Sequence, residues 1–161
     1  MNNEKIKDIL NQCKIKYEEF FNDIKKIIFQ SNNIKEFYEK LNNYHQQKNI
    51  KKEIRELLQK IINEYANQYK LKHIPIYISD KYKISKRGKF LFSSQPKAII
   101  MFYLGAYHYN EINSLFVINF SSFIQSFFHE VAHYIDFKTR RFYIKHDEIF
   151  YKILDKIIIK I

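Results

Sequence analysis

The chain has 161 residues, of which 46% are apolar, and its 28 Lys and Arg against 17 Asp and Glu give a formal charge of +11. That apolar content excludes a disordered chain, and the longest uncharged apolar run, Ala98 to Tyr107, is too short to cross a bilayer. With Cys13 as the single cysteine, an internal disulfide framework and a Cys-based zinc site are both excluded, so any metal must be held by His and carboxylate.

The opening MNNEKIKDIL alternates charges with single isoleucines and lacks the apolar core of a signal peptide, so a cytoplasmic location and no membrane partner are expected. Only four of the basic residues are arginine (Arg55, Arg87, Arg140, Arg141), whereas bidentate reading of phosphates leans on that side chain. The surplus charge therefore reads as a solvated lysine surface, with at most a weak nucleic-acid contact through the basic helices.

In chain order, Ile6, Ile9, Leu10, Cys13, Tyr17, Phe20, Ile24 and Ile28 recur in steps of three and four and predict a helix from Asn3 to about Gln30. Ser31, Asn32 and Asn33 stop it and offer a cap for a second helix through Phe37, Leu41 and Tyr44. A third stripe runs from Ile50 to Tyr69. Residues 1–70 thus form a helical, lysine-rich segment without nameable chemistry, and 71–161 form the part that carries it.

From residue 74 the period changes to two. IPIYIS reads as a strand near a sheet edge, because Pro75 cannot donate to a ladder. KFLFS after Gly88, AIIMFYL from Ala98 and SLFVINF from Ser114 supply three more, with Gly105 and residues 108–111 in a turn. Ser122 and Gln125 have the spacing of a capping box, which starts the next helix there, and a last amphipathic helix runs from about His146. The expected class is α+β: a small, mostly antiparallel sheet, a motif helix and a C-terminal helix, preceded by the N-terminal helical segment.

The motif is HEVAH, His129 to His133, inside the apolar run FFHEVAHYID. Helical geometry puts His133 about 40° around the axis from His129 and one turn along, so both imidazoles can face one ion. Two neutral imidazoles suit zinc, and a catalytic site needs a third protein ligand and an open position for water. Glu130 projects beside that position, where it can take a proton from a metal-bound water attacking a carbonyl and pass it to the leaving amine.

Asp136 lies about 10.5 Å along the axis from His129, too far to share the ion comfortably, and reads as a supporting carboxylate. His146 is the better third ligand, since it aligns with the buried stripe of Phe150, Ile153 and Ile157 in the last helix, where an unpaired imidazole is costly. Asp147 and Glu148 are the alternatives. His45 and His73 fall at helix ends, and His108 falls in a turn near the sheet as a substrate contact at most. Which tyrosine or arginine stabilises an oxyanion is left open, Arg140, Arg141 and Tyr143 being no more than neighbours in sequence.

At these residues the chain resembles the SprT-like (Spartan) metallopeptidases, within the wider small gluzincin-like zincins. Their pattern is His-Glu-x-x-His, a dozen or so residues, then His, a short polar step and Phe or Trp. Here it reads HEVAH, YIDFKTRRFYIK and HDEIF. The resemblance implies zinc held by His129, His133 and His146, Glu130 as catalytic base, and hydrolysis of a protein or peptide substrate. It also implies a zincin-like core in which a strand before the motif helix pairs with an extended peptide.

It covers Ile74 to the C-terminus, with Asp147 where the family often has Gly and with no Cys-rich ribbon. HEVAHYID is also similar to zincins associated with phage and mobile-element repressors, whose third ligand is a later Glu, which here would be Glu148. The alternative from another class is a catalytically weak, zincin-like regulatory or DNA-associated binding protein.

Overall fold

The three lysine-rich stripes fold as α1 (Asn3–Gln30), α2 (Ile34–Gln47) and α3 (Ile50–Tyr69) in the computed structural model, which describes residues 3–79, 87–102, 119–140 and 145–159. Their boundaries follow from side-chain chemistry. Ser31 turns its hydroxyl onto the Ile27 carbonyl (2.7 Å), and the Asn33 side chain accepts from the Glu36 amide (2.8 Å) to cap α2. The Glu36 carboxylate in turn accepts the Asn32 amide at 3.2 Å, closing both ends of the cap. Lys70, in the left-handed region at φ 53°, ends α3.

The sheet comprises β1 (Ile76–Ile78), β2 (Gly88–Phe92) and β3 (Pro96–Met101) in the order β1-β3-β2. β2 and β3 form an antiparallel hairpin across Ser93 to Gln95, whereas β1 joins the far side of β3 in parallel. Among the described residues the sheet is therefore mixed, with one antiparallel and one parallel pairing where a mostly antiparallel sheet was expected. Alternating hydrophobicity reports which face of a strand is buried and says nothing of strand direction. β1 is an edge strand, as Pro75 suggested.

Gln59 of α3 occupies the outer edge of β1: its Oε1 accepts from the Ile76 amide and its Nε2 donates to the Ile74 carbonyl, both at 2.9 Å. A side-chain amide thus substitutes for a neighbouring strand. Among the described residues no strand pairs with the outer edge of β2.

Two further helices, α4 (Phe120–Thr139) and α5 (Glu148–Ile157), complete the described elements. α4 starts earlier than its serines suggest, because the Asn119 side chain accepts from the Ser122 amide (2.9 Å) and takes the cap. Asn is at least as good a cap as Ser, and the earlier start lets Phe120 join Phe123 in the core. Of the expected strand SLFVINF, Asn119 thus caps α4 and Phe120 opens it. The rest of that strand, together with Gly105 and residues 108–111, lies outside the described residues.

α4 runs between two packed layers. Toward the sheet, Phe90 meets Tyr134 and Phe137 at ring separations of 6.1 and 5.8 Å. Toward the N-terminal helices, Phe123 lies 4.7 Å from Tyr17 of α1, and Phe128 lies 6.4 Å from Tyr65 of α3. The buried side chains of α1, α3, the sheet, α4 and α5 form one contiguous cluster. No described helix is long and apolar enough to cross a membrane.

Tyr17 is fully buried and touches both Phe120 and Phe123, so truncating it opens a void between α1 and the first turn of α4. Tyr17→Ala should cost about 3–5 kcal/mol in denaturant unfolding, as large aromatic deletions do, and an effect below ~1 kcal/mol would show that α1 does not brace the motif helix.

Candidate metal centre

One turn of α4 carries His129 and His133, and the chain entering α5 carries His146. Their three Nε2 atoms form a triangle: 3.2 Å between His129 and His133, 3.0 Å from each to His146. Three nitrogen donors around a tetrahedral zinc with bonds near 2.05 Å would stand about 3.3 Å apart, close to this spacing. Among the described residues this is the one His, Cys, Asp and Glu group arranged to hold a metal ion.

Could the triangle satisfy itself? A neutral imidazole has one N–H and one lone pair, so three nitrogens meeting at a point cannot all be donor and acceptor to one another. Burial lowers the pKa of His129, with His146 adding to the effect. For His133 burial is again the largest cause, followed by His129 and His146 and opposed by Asp136, and its pKa falls to about 4. Both rings therefore keep the neutral form at neutral pH, the form that binds a cation. The donor set suits zinc and other borderline first-row divalent ions.

Phe150 of α5 holds the rings in place. It is fully buried, with its ring centroid 4.9 Å from His129, 5.2 Å from His146 and 4.3 Å from His133, on which it stacks at 25°. His133 Nδ1 is buried without a hydrogen-bond partner among the described residues. The ring is thus oriented by aromatic packing rather than by the hydrogen bond that metal-bound histidines commonly make.

His146 departs from the sequence expectation in one respect. It precedes α5 rather than opening it, and it is exposed, so the cluster has an open side. The first helical position falls to Glu148 because the Asp147 side chain accepts from the Phe150 amide (3.1 Å) as the N-cap.

Arg140 then locks that cap to α4. Its Nε and NH2 groups donate to Asp136 at 2.9 and 2.6 Å, and NH1 and NH2 donate to Asp147 at 2.5 and 2.9 Å. The guanidinium hydrogen bonds bring the Asp147 carboxyl down to about 2. Asp136 and Asp147 are therefore bracing carboxylates outside the histidine triangle, and Glu148 is exposed beside Lys152 at 3.2 Å. Arg140, a neighbour of the motif in sequence, is engaged in this bridge. Arg141, Tyr143 and His108 lie outside the described residues.

Glu130 is buried and lines the same cleft, about 1510 Å³ in volume, as the three histidines. Behind it stands Gly88 of β2, where an added Cβ would come within 2.9 Å of Glu130 Cγ. The floor of the cleft continues along α4 through Ser122, Gln125 and Ser126, and Lys14 and Glu18 of α1 reach its far end. The other histidines are elsewhere: His45 stacks on Phe20 at 13°, and His73 pairs with Asn67 at 2.9 Å.

Three participants escaped the sequence reading. The Asp136–Arg140 spacing of four residues, and Asp147 three residues before Phe150, were the available signals for the clamp. Phe150 was legible as buried but not as the packing partner of all three imidazoles. Gly88 read as strand punctuation. No protein-family model matches the chain, and no curated protein or solved structure matches it significantly.

Arg140→Met should leave the nearly inaccessible Asp136 carboxylate short of its cation, at a cost of about 3 kcal/mol in unfolding experiments. By releasing the cap beside His146 it should also weaken zinc binding on the order of 10-fold in a competitive chelator titration. Unchanged zinc affinity would show that the clamp serves stability alone.

Proposed function

We propose that this chain is a zinc-dependent metallopeptidase that hydrolyses peptide bonds, with His129, His133 and His146 as metal ligands and Glu130 as catalytic base. The observation that carries this is the convergence of three imidazole nitrogens to within 3.2 Å on the open side of a cleft that a buried glutamate also lines. A purely structural site has no need of a carboxylate there.

Zinc bound in the triangle would supply an electrophile for the substrate carbonyl and would bring the pKa of a coordinated water toward neutrality. Everything else falls to the chain's own residues. Glu130, buried in the cleft, accepts the proton of the attacking water and returns it to the departing amine. The outer edge of β2, unpaired among the described residues, would offer backbone donors and acceptors to an extended peptide, while Gln59 closes the opposite edge of the sheet to the same use. Residues 71–161 carry this machinery as a zincin-like core of the SprT-like kind, and α1 of the 1–70 segment walls the cleft through Lys14 and Glu18.

The +11 charge favours one second reading, a DNA-associated regulatory protein that keeps the metal without turnover. Its mark would be a DNA affinity that falls steeply with salt.

Glu130→Gln separates the two. The variant should keep one zinc per chain and lose about 10²–10⁴-fold in cleavage of an unstructured protein such as casein. His146→Ala should lose stoichiometric zinc as well as activity. Cleavage by Glu130→Gln at the original rate, or protein that holds no stoichiometric metal after equilibration with excess zinc, would end the hydrolase reading.

A further inference from the structure

We propose that Gly88 is the positioning residue for Glu130, its missing side chain being the space in which the carboxylate is held beside the metal ligands. The inference rests on the role given to Glu130 above. Gly88 lies in β2, where a glycine weakens a strand unless something approaches its backbone closely. Conformation does not require it, since no described glycine has positive φ.

Space does. An added Cβ would stand 2.9 Å from Glu130 Cγ, 3.0 Å from Met101 Sδ and 3.3 Å from Glu130 Oε2. Contacts below 3.0 Å are ones that real Cβ atoms essentially never show, so Glu130 would have to move.

The pleat of β2 makes the point sharper. Gly88 and Phe90 share the face toward α4. At residue 90 the strand fills the gap itself, with a ring against Tyr134 and Phe137. At residue 88 the filler comes from the other side, and it is the ionisable side chain of Glu130. The backbone adds to this. The Phe102 amide donates to the Arg87 carbonyl (2.9 Å), so residue 87 faces β3 and the N–H and C=O of Gly88 face the outer edge of β2, which no described strand occupies. The same residue thus seats the base from one side and borders the substrate's path on the other.

The test uses the full chain loaded with Co2+ and titrated with acetohydroxamic acid, which chelates a metal while donating a hydrogen bond to a neighbouring carboxylate. Gly88→Ala should keep the cobalt absorption spectrum and bind the hydroxamate about 10-fold more weakly, the size of one charge-assisted hydrogen bond. In a Glu130→Gln background the same substitution should change that affinity by less than about 2-fold.

Wild-type hydroxamate affinity in Gly88→Ala overturns the proposal, and so does an equal loss in both backgrounds. So does a Glu130→Gln variant that binds the hydroxamate as the wild type does. Should Gly88→Ala fail to fold, Gly88→Ala with Glu130→Ala must restore folding and cobalt binding, because the contact below 3.0 Å is then gone and only the flexible end of Met101 has to give, and failure to restore them also overturns it. None of these readouts needs peptide cleavage, so failure of this proposal and failure of the hydrolase reading are told apart.

Discussion

Three imidazole nitrogens held within 3.2 Å of one another are the constraint on which this structure turns. Without a cation the arrangement is unfavourable, since lone pairs face one another and the N–H groups cannot all be used. It persists only because the surroundings determine each ring separately. His129 and His133 are fixed by consecutive turns of one helix, their rings rest on Phe150, and His146 is anchored by the neighbouring cap at Asp147. Burial keeps two of the rings neutral, so a divalent ion meets ligands that need not first lose a proton.

That preorganisation explains why the N-terminal helices matter to a site they hardly touch. α4 must be held against both the sheet and a helical layer, or its ligand face would not stay aimed at the cleft. Tyr65 of α3 donates to the Ile157 carbonyl (2.8 Å), which ties α3 to the end of the helix that delivers Phe150. Tyr134 of α4 donates to the Lys72 carbonyl, and Lys138 Nζ donates to the Tyr69 carbonyl at 2.8 Å, so α4 also caps the end of α3. The polar contacts at both ends are local, and the apolar cluster between them is continuous.

How much of this was legible in the sequence follows from which features are local. Helix periods and the HEVAH spacing depend on neighbours within one turn or a few, and α1 to α3 and the two motif histidines fall where such spacing puts them. His146 was reachable because its apolar companions in α5 are also local, yet its exposure was not, because that depends on a cap made by Asp147 and a guanidinium from another helix. Strand direction, the bridging role of Arg140 and the stacking of Phe150 arise from elements that meet only in the folded chain. Alternation and helical period carry no record of them.

The two sides of the cleft obey opposite logic. On the ligand side, specificity of position comes from filling space: Phe150 is fully buried against all three rings. On the side of the base, it comes from leaving space, since the place of a β2 side chain is ceded to Glu130. The Glu130 side chain reaches to within 2.9 Å of where a Cβ of residue 88 would stand, so any larger residue there would have to displace it. In the proposed hydrolysis, a base so confined would have little reorganisation left to do when a proton arrives, the form of positioning that catalysis draws on most. The small residue at 88 is then as much a part of the site as the large one at 150, though only the large one announces itself in a hydrophobic pattern.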